Sequence, residues 1–278
     1  LTAVPHLATL KTHVPFINFF DGFRTSHEYH KVEVMDMEDI RPLVDEADIK
    51  NFRDRALSPE RPVTRGTAEN PETFFTHREA SNSHYDAIPD VVEHYLGEIS
   101  KITGREYHCF SYYGAEDAEN IIILMGSATE AAREAIDYLT SEGKKVGMIS
   151  VHLYRPFSVK HLFAAVPKTV KKIAVLDRTK EPGAEGEPLY LDVKSAFYDQ
   201  ENRPVIVGGR YGLGSSDITP AKIISVYNNL ELPEPKNHFT VGIIDDVTFT
   251  SLPAVEEMAL GGKSIYEAKF FGLGADGT

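Results

Sequence analysis

Between Asn120 and Leu230 the chain alternates short apolar runs with segments of helical period, and this alternation restricts the fold more than any other feature. Asn120-Ile121-Ile122-Ile123-Leu124-Met125-Gly126 is apolar at successive positions, as a strand covered on both faces requires. Ser127 can cap a helix from Thr129 to Ser141 whose Ala132, Ala135, Ile136 and Leu139 share one side, and Gly143 closes it. Val146 to Val151, Ile173 to Leu176 and Pro204 to Gly209 read as further strands. Residues 158 to 166, Glu187 to Tyr198, and a segment opened by Thr219-Pro220 and running to about Leu230 read as helices. Proline suits the first helical position, where its missing N–H has no intrahelical partner to lose. The pattern predicts an α/β fold: mostly parallel open sheets with helices on both faces.

The flanks read differently. Leu1 to Thr12 has the character of a helix, and Val14-Pro15-Phe16-Ile17-Asn18-Phe19-Phe20 that of a buried strand stopping at the turn signal Asp21-Gly22. Short helices are expected over residues 36 to 60 and a long irregular excursion over 58 to 85. Asp86 to Thr103 predicts a strong helix, with Ile88, Val91, Val92, Tyr95, Leu96 and Ile99 on one face and Gly104 at its C-terminal cap. Near the other end, Phe239 to Ile244 and Ile265 to Phe271 read as strands. The second runs into Gly272-Leu273-Gly274-Ala275-Asp276-Gly277-Thr278, a glycine loop that should feed a helix. With no initiator Met at Leu1, the expectation is an internal piece of a longer polypeptide.

Composition removes several function classes. The net charge of −13 repels nucleic acid and anionic membranes, so neither is an expected partner. No apolar run reaches the ~18 residues of a spanning helix. The one cysteine, Cys109, makes no internal disulfide, which fits a reducing cytoplasm, and it cannot build an iron–sulfur cluster that takes about four thiolates. No histidine pair has zinc-ligand spacing with a third acidic ligand, so no metal is expected.

Several loops could carry chemistry. Gly272 to Thr278 could cradle a phosphate through backbone N–H groups, or be an ordinary strand-to-helix turn. In Asp21-Gly22-Phe23-Arg24-Thr25-Ser26-His27-Glu28, the side chains of Arg24, Ser26, His27 and Glu28 could hold an anion or shift a proton, or simply fix their own turn. Arg65, in Thr64 to Pro71, could clamp a carboxylate or form an inter-domain ion pair. Gly126-Ser127 suits helix capping better than phosphate binding. Tyr154-Arg155-Pro156-Phe157, Asp177-Arg178-Thr179-Lys180-Glu181 and Gly208 to Gly214 fall on one sheet edge if the strands are parallel. They contain no nucleophile with an activating base, so they predict a docking face rather than an active site.

Long strings of this sequence resemble pyruvate:ferredoxin (flavodoxin) oxidoreductases, the large thiamine-diphosphate, iron–sulfur enzymes of anaerobes. The similarity is carried by Val14-Pro15-Phe16 through Glu28, Arg65-Gly66-Thr67-Ala68, Leu153 to Ser158, Ile173 to Gly183, Gly208 to Leu213, and His238 to Ile243 with Asp245 to Thr248, in the family's order. The resemblance implies oxidative decarboxylation of pyruvate with coenzyme A to acetyl-CoA and carbon dioxide. It implies thiamine diphosphate, Mg2+ and [4Fe–4S] clusters in the parent, and electrons passed to ferredoxin or flavodoxin. It also implies a homodimer whose remaining domains are this chain's partners.

On that resemblance, residues 1–117 match the end of a pyrimidine-binding thiamine domain, 118–250 a transketolase C-terminal-like domain, and 251–278 the start of a coenzyme A-binding domain. Gly272, Leu273, Gly274, Ala275, Asp276, Gly277 and Thr278 match the family's coenzyme A loop, with Ala275 in place of serine. Arg24, Ser26 and His27 fall near the family's active-site region, and no catalytic role is carried onto them. The family's pyruvate-binding threonine and arginine and its activating glutamate are expected before Leu1. Its pyrophosphate motif, magnesium ligands and cluster cysteines are expected after Thr278. The chain alone is therefore expected to bind none of these cofactors and to be inactive. Two other readings stay open: a non-catalytic scaffold of a related multidomain oxidoreductase, and a relative acting on another 2-oxo acid.

Overall fold

The computed structural model describes residues 1–22, 24–29, 31–64, 66, 68–258, 260, 266, 268 and 271–272, with only the backbone of Arg24. Its centre is a sheet of six strands: β1 Phe110–Gly114, β2 Asn120–Leu124, β3 Val146–Val151, β4 Lys172–Asp177, β5 Val205–Arg210 and β6 Phe239–Thr240. They lie in the order β1-β3-β2-β4-β5-β6. β2, β3, β4, β5 and β6 run parallel, and β1 pairs with β3 antiparallel at the edge. The expected mostly parallel α/β sheet is therefore present.

Side-chain alternation sends each strand's residues into two cores. On one face Ile121, Ile123, Ile149, Val151, Ile173 and Val175 meet the helices α1 Ala3–Thr12, α6 Asn82–Thr103, α8 Val159–Ala165 and α9 Pro188–Ala196. On the other, Ile122, Leu124, Met148, Ala174 and Val207 meet α7 Ala128–Ser141 and α10 Pro220–Glu231. This two-sided burial is why the strand sequences are apolar throughout rather than alternating.

The expected helical faces form where burial supports them. α6 buries Ile88, Val92, Tyr95, Leu96 and Ile99, and ends at Gly104 in the left-handed conformation. Glu93 ties it to the sheet: one carboxylate oxygen accepts the Cys109 N–H at 2.8 Å and the other lies 2.5 Å from His108 Nδ1. Thr219 caps α10 by accepting the Lys222 N–H, and Pro220 occupies its first turn.

The structure corrects the sequence reading in the flanks. Val14 to Phe20 has no regular secondary structure and pairs with no strand among the described residues. An apolar run needs a ladder partner to become a strand, and here only Val14 and Phe16 reach the core while Ile17 stays 89% exposed. The short helices expected over 36 to 60 are present as α3 Met37–Ile40, a 3₁₀ turn at Arg41–Leu43 and α4 Glu46–Asp54. Among the described residues, the expected excursion at 58 to 85 is irregular only to Asn70. It continues as α5 Pro71–Ala80, and α6 begins at Asn82 rather than Asp86. Helix α5 buries no residue, so its sequence carries no apolar stripe to announce it. Phe239 to Ile244 shortens to the two residues of β6, after which the chain turns. The carboxylate of Asp245 organises that turn, accepting N–H bonds from Val247, Thr248 and Thr250 at 3.1, 3.0 and 2.9 Å. The strand expected at Ile265 to Phe271 lies mostly outside the described residues.

Candidate functional site

Because β2, β3, β4 and β5 are parallel, the turns that follow them emerge at one edge of the sheet. The expected convergence of Tyr154 to Phe157, Asp177 to Glu181 and Gly208 to Gly214 is thus observed, and the Gly126-Ser127 turn after β2 joins them. What these loops do there follows from where their charges are spent.

Asp177, the last residue of β4, is buried and caps α9 from outside that helix. Its two carboxylate oxygens accept the Leu189 and Tyr190 N–H groups, each at 3.0 Å. Burial pushes its carboxyl up to about 6; the two N–H bonds pull the other way, and the charges of Glu187 and Asp192 add to the rise. Arg155 pairs with Asp192 at 2.7 Å and lies over the Tyr154 ring at 4.0 Å. Arg210 donates to the His238 carbonyl at 2.6 Å and to the Thr250 hydroxyl at 3.1 Å, holding β5 to the Asp245 turn. Lys180 donates to the Glu181 carbonyl at 3.2 Å.

A distant residue joins this edge. Asp21 accepts the backbone N–H of Ser127 at the start of α7 and lies 3.0 Å from the Arg178 guanidinium. Burial opposes its charge, yet the bonds to Ser127 and the charge of Arg178 outweigh that and hold the carboxyl below the usual range. Directly after Asp21-Gly22 comes the short helix α2 Arg24–His27, on which Ser26 and His27 are exposed. The sequence reading treated Asp21 as a turn residue. Its partners are 106 and 157 positions away, and no local pattern points to them.

The other expected site residues fare unevenly. Gly272 is exposed, and Leu273, Gly274, Ala275, Asp276, Gly277 and Thr278 lie outside the described residues, as do Arg65 and Thr67. One serine–histidine–aspartate alignment occurs elsewhere: Ser158 Oγ is 2.7 Å from His161 Nδ1, and His161 Nε2 is 3.3 Å from Asp90. Ser158 is the N-cap of α8, accepting the His161 N–H, and Asp90 is also paired with Lys160 at 2.7 Å. The alignment therefore caps α8 and ties it to α6.

The described residues do not fit a metal or an iron–sulfur cluster. Among them no group of three His, Cys, Asp or Glu is placed to hold a metal ion. Cys109 is buried, and burial together with the neighbouring Glu93 carboxylate drives its thiol far above the usual range, against thiolate ligation. Among the described residues no helix is long and apolar enough to cross a membrane.

The topology and this edge define an open α/β domain whose edge loops are held by two ion pairs, Arg155–Asp192 and Arg178–Asp21, and by bonds to backbone groups, and on to which an N-terminal region is fastened. The two regions match two family models: "Pyruvate flavodoxin/ferredoxin oxidoreductase, thiamine diP-bdg" over residues 1–96, and "Pyruvate:ferredoxin oxidoreductase core domain II" over residues 118–223. The chain belongs to the pyruvate flavodoxin/ferredoxin oxidoreductase family. It is 58% identical over 279 residues to the pyruvate-flavodoxin oxidoreductase of Enterobacter agglomerans, covering 100% of this chain and 24% of that protein. It is 55% identical to that of Klebsiella pneumoniae, again covering 100% and 24%. It is 52% identical to the pyruvate:ferredoxin oxidoreductase of Moorella thermoacetica, with the same coverage. The chain thus spans about a quarter of the length of the curated relatives it matches.

Proposed function

We propose that this chain is the framework portion of an enzyme that oxidatively decarboxylates pyruvate with coenzyme A to acetyl-CoA and carbon dioxide, passing electrons to ferredoxin or flavodoxin. The observation that carries the reading is identity of 58% over the whole of this chain to a pyruvate-flavodoxin oxidoreductase, joined to a sheet edge where Asp177, Arg155 and Arg178 are each paired within the chain. In this reading residues 1–117 belong to a thiamine domain, 118–250 to a transketolase C-terminal-like domain and 251–278 to the entry of a coenzyme A-binding domain. Thiamine diphosphate would supply the carbanion chemistry, and the chain's own task is to hold the surrounding domains in place. Mg2+, the [4Fe–4S] clusters and the rest of the coenzyme A site belong to further domains of a longer, homodimeric, cytoplasmic enzyme. The loop Gly272 to Thr278 is this chain's contribution to coenzyme A.

Two measurements test this. The chain alone, given pyruvate, coenzyme A, thiamine diphosphate and magnesium, should not reduce a viologen dye; turnover would overturn the framework reading. Grafted in place of the matching stretch of the Moorella thermoacetica enzyme, to which it is 52% identical, it should preserve pyruvate-dependent dye reduction. A folded chimera that reduces the dye only with a different 2-oxo acid would overturn the assignment of pyruvate.

A further inference from the structure

The geometry points to Asp21 as a positioning residue: a carboxylate clasp that fixes the Arg24–His27 turn against the carboxyl edge of the sheet. The receptor for that carboxylate is assembled from three loops far apart in sequence. The β2–α7 turn provides the Ser127 N–H. The loop after β4 provides the Arg178 guanidinium, 3.0 Å from Asp21. The loop after β5 orients that guanidinium, since Arg178 Nε donates to the Gly212 carbonyl at 3.3 Å. The first and third loops are joined in turn by the Tyr211 hydroxyl, which donates to the Met125 carbonyl at 3.1 Å.

Two glycines make room for this arrangement. A Cβ on Gly126 would sit 2.6 Å from an Asp21 carboxylate oxygen, and one on Gly212 would sit 2.7 Å from Arg178 Nε. Both have positive φ, +81° and +68°, where a side chain would be strained as well as crowded. Helix α7 has no capping side chain of its own, for Ser127 makes no cap bond, so the donor at its start is left to Asp21. The Asp21 side chain is only 15% exposed, whereas Ile17, Phe19 and Phe20 just before it stand in solvent. Apolar packing of this stretch stops at Val14 and Phe16, and the polar contact of Asp21 adds a tie to the sheet edge beyond it. Three residues beyond Asp21, α2 begins, so an anchored Asp21 limits how far that turn can stray from the edge loops.

Cys109 is buried, so nitroxide labels are directed to two introduced, exposed cysteines in the full chain. Tyr29→Cys reports on the stretch beyond α2, and Glu142→Cys, exposed at the end of α7, reports on the sheet domain. Double electron–electron resonance should give one narrow distance distribution. Asp21→Asn or Arg178→Met should widen it at least about twofold, and Arg178→Lys, which keeps the charge and is the gentler change to the fold, should fall between. Combining Asp21→Asn with Arg178→Met should widen it no further than either alone, because the two act as one contact. A distribution already broad with both residues intact, or one unchanged by their loss, would overturn the clasp. No catalysis is measured, so this result and the test of the pyruvate reaction fail independently.

Discussion

The sheet domain from Phe110 to Val241 and the stretch from His13 to Tyr85 treat their apolar side chains in opposite ways. In the first, β2, β3 and β4 enclose isoleucines, valines and a methionine between two layers of helix. In the second, Ile17, Phe20, Val34 and Phe75 lie on the surface, Val34 at 81% exposure, and α5 buries nothing. Since apolar burial is the main favourable term in folding, stability resides chiefly in the sheet and its covering helices, and the N-terminal stretch is held by the few side chains it lays on that core, Val14, Phe16, Met35, Leu43 and Val44, and by polar ties such as Asp21. The sharpest way to break this contrast is to remove one buried side chain. Ile123→Ala in β2, where the side chain has no exposure, should lower the unfolding free energy by about 2–5 kcal/mol in urea titrations. A loss under about 1 kcal/mol would mean that the two-layer core does not carry the chain.

The second test sharpens the contrast by asking how the sheet domain tolerates a charge. Asp177 has its carboxyl pushed up to about 6 by burial, from an ordinary 3.8. The folded state then holds a proton that the unfolded chain has released between those two pH values, so stability from this group falls as pH rises through that interval. The effect is up to about 3 kcal/mol, from the roughly two-unit shift at about 1.4 kcal/mol per unit. Asp177→Asn removes the titration. Measured by urea unfolding at pH 4, 5, 6 and 7, the variant should therefore gain on the parent as pH rises. A constant difference across that range would show that Asp177 titrates normally and that the edge beneath α9 is wet.

These features were unequally visible in the sequence. Strands β2 to β5 and helices α7, α9 and α10 were legible because two-sided burial writes itself into the residues as apolar runs and helical spacing. Helix α5 was not, because a helix with no buried face leaves no periodicity. Strand β1 was missed for a related reason. Phe110-Ser111-Tyr112-Tyr113-Gly114 mixes hydroxyls and rings on an edge, and its antiparallel pairing to β3 is set by a partner about 40 positions away. The loop edge was legible as a place, because parallel strands dictate it. That Asp21 reaches across to Ser127 and Arg178 was not, since it depends on tertiary contacts alone.

The smallest effect is expected where the N-terminal stretch meets solvent, and it bears most directly on the comparison. Ile17→Ser and Val34→Ser replace large apolar side chains at 89% and 81% exposure. A side chain already in water has little transfer free energy to lose, so each variant should change the unfolding free energy of the chain by no more than about 0.5 kcal/mol. The measurement is a urea titration of each variant beside the parent at one protein concentration. A loss of 1 kcal/mol or more would mean that these positions are covered in solution, and repeating the titration at several concentrations would then separate cover by the chain itself from cover by a second copy, because only the latter depends on concentration.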